Sequence, residues 1–137
     1  MARDIPDSGN RFEDIKEIMR ILRSPGGCPW DMKQTVESAV RDLLGEADEV
    51  REALEKNDME NLKEELGDLL WGIVFTANVA REKDLFSIDD ILRDTREKII
   101  RRHPHVFGDK PADSPEDAQR LFKEAKESEK NGRIHKG

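Results

Sequence analysis

Two acidic pairs, Glu46-x-x-Glu49 and Glu65-x-x-Asp68, fall on consecutive amphipathic segments of this 137-residue chain. Residues three apart on a helix stand one turn apart on one face, so two such pairs can converge between packed helices. Four carboxylates at one interface repel one another unless a hard divalent cation such as Mg²⁺, with Mn²⁺ as a substitute, neutralises them. Carboxylates holding such an ion are catalytic machinery, and an acidic protein can still hold a phosphate ligand through the metal. Spacing alone decides little in a chain that is 40% charged, because Asp14/Glu17, Glu52/Glu55 and Glu124/Glu127 share it. A metal site and a solvated acidic face are both open at this point.

The elements that must position these acids read as helices. From Val36 to Leu54 the apolar residues Val36, Val40, Leu43, Ala47, Val50 and Leu54 recur every three or four positions, with Glu46 and Glu49 on the flank of the stripe. In the next segment Leu62, Leu66, Leu69, Leu70, Ile73 and Ala77 form the stripe, with Glu65 and Asp68 at its edge. Gly72 follows one turn after Asp68. Inside a helix it costs about 1 kcal/mol against alanine, so either a ligand or a neighbouring helix needs the space.

Three more helices complete the expected order. The first runs from about Phe12 to Arg23 and is broken by Ser24-Pro25-Gly26-Gly27-Cys28-Pro29-Trp30-Asp31. Thr35 and Asp58 are the expected N-caps of the two acidic helices. A fourth helix begins after Ser87, which forms a capping-box pattern with Asp90, and ends at His103 before Pro104. Ser114-Pro115-Glu116-Asp117 opens a fifth, ending near Lys130, with the tail after Asn131 frayed. No strand pattern interrupts this order. The expectation is an all-α bundle of about five helices in one domain, residues 1–137, with its core over 12–129.

Composition narrows the class further. Only 35% of the residues are hydrophobic, so apolar surface lies in stripes, and association into a homodimer or a dimer of dimers is the natural way to cover them. No run approaches the ~20 apolar residues of a membrane span, and the N-terminal residues lack a signal-peptide core. With a single cysteine, Cys28, a soluble cytoplasmic protein without a disulfide is expected. The net charge of −7 argues against stable nucleic-acid binding, which rests on Lys and Arg at phosphates.

Other residues that could carry chemistry are fewer. Lys98 and Arg102, four apart, suit either phosphate oxygens or a solvated helix end. Trp30 could stack on a nucleobase or plug the core. His103, His105 and Cys28 do not by themselves make a tetrahedral zinc set. No nucleophile has an evident histidine partner, and Gly26-Gly27 is no phosphate loop.

Four blocks then occur in order: Gly27-Cys28-Pro29-Trp30-Asp31-x-x-Gln34-Thr35, Gly45-Glu46-x-x-Glu49-Val50, Glu64-Glu65-Leu66-Gly67-Asp68-Leu69-Leu70 and Arg101-Arg102-His103-Pro104-His105-Val106-Phe107. Together they closely resemble the MazG-type nucleoside triphosphate pyrophosphohydrolases, from about Phe12 to Glu129. The resemblance implies an all-α enzyme that uses Mg²⁺ to hydrolyse nucleoside triphosphates to monophosphate and pyrophosphate. It maps Glu46, Glu49, Glu65 and Asp68 onto the metal ligands, Lys98 and Arg102 onto the triphosphate-holding pair, and Trp30 onto the Cys-Pro-Trp-Asp block. The family's acidic signature usually opens with two adjacent glutamates; here Gly45 stands in place of the first. A di-iron carboxylate bundle would need Glu-x-x-His on two helices, and neither pair has the histidine. A helical interaction module without catalysis is the remaining rival.

Overall fold

The computed structural model describes residues 2–136, and 133–136 by backbone alone. Among the described residues there are seven α-helices and no strand: α1 (Arg11–Leu22), α2 (Pro29–Met32), α3 (Val36–Glu55), α4 (Met59–Glu82), α5 (Ile88–Arg101), α6 (Pro104–Phe107) and α7 (Pro115–Lys136). The five expected long helices are present. The two additional ones are single turns opened by Pro29 and Pro104, whose fixed φ suits the first helical position. Two boundaries differ from expectation. α5 stops at Arg101 because His103, with ψ at 59°, has already left the helical region ahead of Pro104. α7 continues to Lys136, since the Lys- and Glu-rich segment has good helix propensity and Gly132 is too small a penalty to stop it.

The chain packs as two compact units, Met1–Ile88 and Asp89–Gly137. In the first, α3 and α4 form an antiparallel hairpin with a very short connection. α3 closes in a Schellman motif: Asn57 takes φ of 54°, the Asp58 amide donates to the Ala53 carbonyl and the Asn57 amide to that of Leu54, both at 3.0 Å. The Asp58 side chain at once caps α4, accepting from the Asn61 amide at 3.1 Å. Thr35 caps α3 through a reciprocal pair with Ser38. α1, capped by Asn10, packs on α4. Met19, Ala39, Val74, Phe75 and Val79 form the core, with Phe12, Ile15, Val36, Trp71 and Ile88 against it.

The inward face of the hairpin is turned from the apolar stripe seen in sequence. Val40 is 37% exposed and Leu54 61%, while Ala39 and Ala53 are buried and Leu43, Glu46 and Val50 half-buried. On α4, Leu66, Leu70 and Ile73 are exposed, and Leu62, Glu65, Leu69 and Gly72 face inward to varying depth. Small residues set this rotation by letting the helices approach closely. A Cβ on Gly72 would lie 3.0 Å from Leu43 Cδ1, so helix approach accounts for this glycine. Consequently Glu46 and Glu65 lie on the packing face itself instead of on its flank.

Gly45 is different, because a Cβ there would meet nothing within 4 Å. Gly45→Ala is therefore expected to raise stability by about 0.5–1 kcal/mol, the helix-interior difference between the two residues. A chemical-denaturation midpoint that moves down would show that the position tolerates no side chain.

In the second unit α6 packs on α7, with Leu121 buried and Phe122 meeting the His103 ring edge-on at 5.8 Å. Ser114 caps α7 as expected, accepting from the Asp117 amide at 3.1 Å.

Candidate active site

Carboxylate oxygens of Glu46, Glu65 and Asp68 lie within 4.8 Å of one another. Helix geometry explains the convergence: Glu46 comes inward from α3, and Glu65 and Asp68 come from successive turns of the antiparallel α4. Glu49, one turn beyond Glu46, lies outside this trio and lines the cavity beside it. The Glu65 carboxyl is held above its ordinary range, first by burial, then by a hydrogen bond with Glu46 and by the charges of Glu46, Asp68 and Glu49. Glu46 Oε2 is buried and has no hydrogen-bond partner. A buried carboxylate oxygen left unpaired is costly. A cation bound by oxygen ligands would satisfy it. With no histidine or cysteine in the cluster, the donor set suits a hard ion such as Mg²⁺ or Mn²⁺ rather than zinc.

These shifts give a pH dependence with a definite sign. Because the folded pKa of Glu65 lies above its reference value of 4.5, the metal-free folded state binds that proton more tightly than the unfolded chain. Its contribution to stability is therefore lost as pH rises from 4.5 through the folded value. In EDTA the melting temperature of the wild type should fall across that window relative to Glu65→Gln. Parallel pH profiles for the two proteins would remove Glu65 from the strained cluster.

Beside the acids lies a cavity of about 580 Å³, of the size that takes small ligands. Trp30, Asp31, Gln34, Glu46, Glu49, Asp68, Trp71 and Phe75 are among its walls. Trp30 rides on α2, is 64% exposed, and carries the Lys33 ammonium 4.4 Å from its ring centre. It does not plug the core. Trp71, which the sequence reading passed over, stands one helical turn after Asp68, and that spacing alone could have brought it forward.

Lys98 and Arg102 belong to the second unit and line a separate cavity of about 700 Å³ with Thr95, Arg101 and Glu129. Arg102 is engaged: Nη2 donates to Glu129 Oε2 at 2.8 Å, Nε lies 3.2 Å from the same oxygen, and the guanidinium sits 5.4 Å over Phe122. Arg101 Nε adds a 2.6 Å bond to Glu129 Oε1. The two arginines hold the Glu129 carboxyl down at about 2. Glu129 is a partner that spacing could not disclose, since it lies 27 residues after Arg102. Lys98 makes no ion pair among the described residues.

Residues 34–107, more than half of the chain, match the model of the MazG nucleotide pyrophosphohydrolase domain. The chain belongs to this family. It is 45% identical over 128 residues to the nucleoside triphosphate pyrophosphohydrolase/pyrophosphatase MazG of Thermotoga maritima, covering 93% of this chain and 50% of that protein. The nucleoside triphosphate pyrophosphohydrolase of Escherichia coli K12 is 38% identical over 122 residues, 88% of this chain and 46% of its own length. The chain thus spans about half the length of these curated relatives. The crystal structure of a mazG-related protein from Thermotoga maritima superimposes with a TM-score of 0.72 at 36% identity, over 84% of this chain and 98% of that one. Membership in the MazG family agrees with the resemblance drawn from the four sequence blocks, and the all-helical architecture agrees with the expected fold class.

Proposed function

We propose that this protein hydrolyses nucleoside triphosphates to nucleoside monophosphate and pyrophosphate with Mg²⁺, or Mn²⁺ in its place. The observation that carries this reading is the convergence of Glu46, Glu65 and Asp68 around a buried, unpartnered carboxylate oxygen beside a nucleotide-sized cavity. Glu46, Glu49, Glu65 and Asp68 would hold the cation, which supplies charge neutralisation at the phosphates and lowers the pKa of a water. A glutamate of this set accepts a proton from the attacking water. The water oxygen bonds to the α-phosphorus, the bond to the bridging oxygen breaks, and pyrophosphate leaves. Trp30 offers an aromatic face to the base. Lys98 and Arg102 bind phosphate oxygens, for which Arg102 must exchange or share its bond to Glu129.

The two units are proposed to work as one domain, because the family match at 34–107 includes residues of both. Clearance or regulation of nucleotide pools in the cytoplasm is the role that suits such an activity. No described helix is long and apolar enough to cross a membrane. The direct test of the activity is product analysis with a panel of triphosphates, with and without divalent metal. Pyrophosphate and monophosphate only in the presence of metal are expected. Orthophosphate and diphosphate would reject the site of attack, and no hydrolysis at all would leave the non-catalytic interaction module.

Association into a homodimer or dimer of dimers is part of the proposal. Val40, Leu54, Leu66, Leu70 and Ile73 of the sequence's apolar stripes are exposed on α3 and α4, with Leu44 exposed besides, and covering such surface contributes about 25 cal/mol per Å². Light scattering at micromolar concentration should return at least twice the mass of the chain. A fully active monomer would contradict it.

A further inference from the structure

The Arg23 side chain ends α1 with only 7% exposure and makes no contribution to the mechanism as described above. Its guanidinium has two occupied edges. On one, Nε and Nη2 donate to the two Glu82 oxygens at 2.8 and 2.9 Å, and Asn78 Nδ2 holds the same carboxylate at 2.8 Å. On the other, Nη1 donates to the carbonyls of Asp31 and of Gln34, the latter at 3.1 Å. The Phe75 ring lies 5.7 Å from its central carbon.

Those two carbonyls belong to the end of α2 and the residues just after it. The Asp31 carbonyl accepts the Gln34 amide at 3.3 Å within the turn, and because a helix of four residues leaves its last carbonyls few partners of its own, the buried cation adds a second, charged donor there. Gln34 continues the linkage, its Nε2 donating to the Trp30 carbonyl at 2.9 Å and its Oε1 accepting from Ser38 Oγ at 2.8 Å. At the other end of the strap the Cys28 amide donates to the Leu22 carbonyl at 2.8 Å. Gly27 passes so close to α1 that a Cβ would come within 2.4 Å of the Ile21 and Leu22 oxygens. The turn carrying Trp30 is thus fixed from beneath by Arg23 and pinned at its start by backbone. A buried ion pair is seldom a net gain over an apolar pair of the same volume, whereas a planar, five-donor guanidinium is suited to fixing several acceptors in one geometry.

We infer that Arg23 is a positioning residue for the substrate: it sets the place of Trp30 at the cavity and so governs binding of the nucleotide base. This rests on the proposed stacking role of Trp30. Arg23 also precedes the residues 34–107 matched to the family.

A double-mutant cycle tests it, with kcat and KM for a nucleoside triphosphate measured at saturating Mg²⁺ for Arg23→Lys, Trp30→Ala and the double variant. Lysine keeps the charge but cannot bridge carboxylate and carbonyls together. Arg23→Lys should raise KM about tenfold with kcat within twofold, Trp30→Ala should raise KM at least as much, and in the Trp30→Ala background Arg23→Lys should add less than twofold. An unchanged KM in Arg23→Lys beside a raised KM in Trp30→Ala overturns the positioning role alone. So does a full additional tenfold in the double variant, since a general structural defect acts independently of Trp30. A wild-type KM in Trp30→Ala instead refutes the stacking role on which the inference rests. If Arg23→Lys shows no cooperative melt, Glu82→Gln, which loosens the same guanidinium from its other edge, is measured by the same criteria.

Discussion

Asp68→Asn is expected to reduce pyrophosphate release by about a hundredfold or more, the scale on which losing a preorganised electrostatic partner acts, without weakening the metal-free fold. Asp68 is exposed, so its amide analogue disturbs no packing. It shares the cluster with Glu46 and Glu65, and its charge helps to raise the Glu65 pKa. Removing that charge relieves repulsion, and in EDTA the variant should melt at or above the wild-type temperature. In millimolar Mg²⁺ the order should reverse. A ligand at a hundred times its dissociation constant stabilises the folded state by about 2.7 kcal/mol, and the variant should gain less. Equal stabilisation by Mg²⁺, or a strongly lowered melting temperature already in EDTA, would make Asp68 a structural residue.

Lys98→Ala is expected to lose function without losing stability, and Arg102→Ala to lose both. A charge-assisted hydrogen bond contributes about 1.5–3 kcal/mol, so each variant should lose tenfold to a hundredfold in kcat/KM. Lys98→Ala should melt like the wild type, because that lysine makes no ion pair among the described residues. Arg102→Ala should also be destabilised, by about 2 kcal/mol. That is below the usual cost of breaking a buried pair, because Arg101 still holds Glu129. The pair has a second signature. The Glu129 carboxyl is lowered from 4.5 to about 2, so its stabilisation is present above 4.5 and is lost as pH falls towards 2. Arg102→Ala should lose part of that acid dependence and Lys98→Ala should retain it. Near wild-type kinetics in both variants would leave Lys98 a solvated cation and Arg102 a structural partner of Glu129.

Much of this architecture is local, and to that extent it is readable from sequence. Thr35, Asp58 and Ser114 cap the helices they were expected to cap, because side-chain acceptors within three residues of a free amide need no tertiary context. The inward face of α3 and α4 was not readable in this way. Periodicity selects the most apolar stripe, while packing selects the face where Ala39, Ala53 and Gly72 permit close approach, and that choice moved Glu46 and Glu65 inward. α2 and α6 escaped because four-residue turns have no periodicity, and proline at their first position reads as a break. The partners of Arg23 and Arg102 lie 59 and 27 residues away, so only the folded chain identifies them. Of the four expected acidic ligands, three converge and Glu49 lines the adjoining cavity. The identity of Glu46 as the residue with an unpartnered buried oxygen is a fact of packing alone.

Hydrolysis of a nucleoside triphosphate in ¹⁸O-labelled water with Mg²⁺ tests the central claim most directly. Attack at the α-phosphorus predicts one labelled oxygen in the nucleoside monophosphate and none in the pyrophosphate. Label in pyrophosphate or in orthophosphate would contradict it.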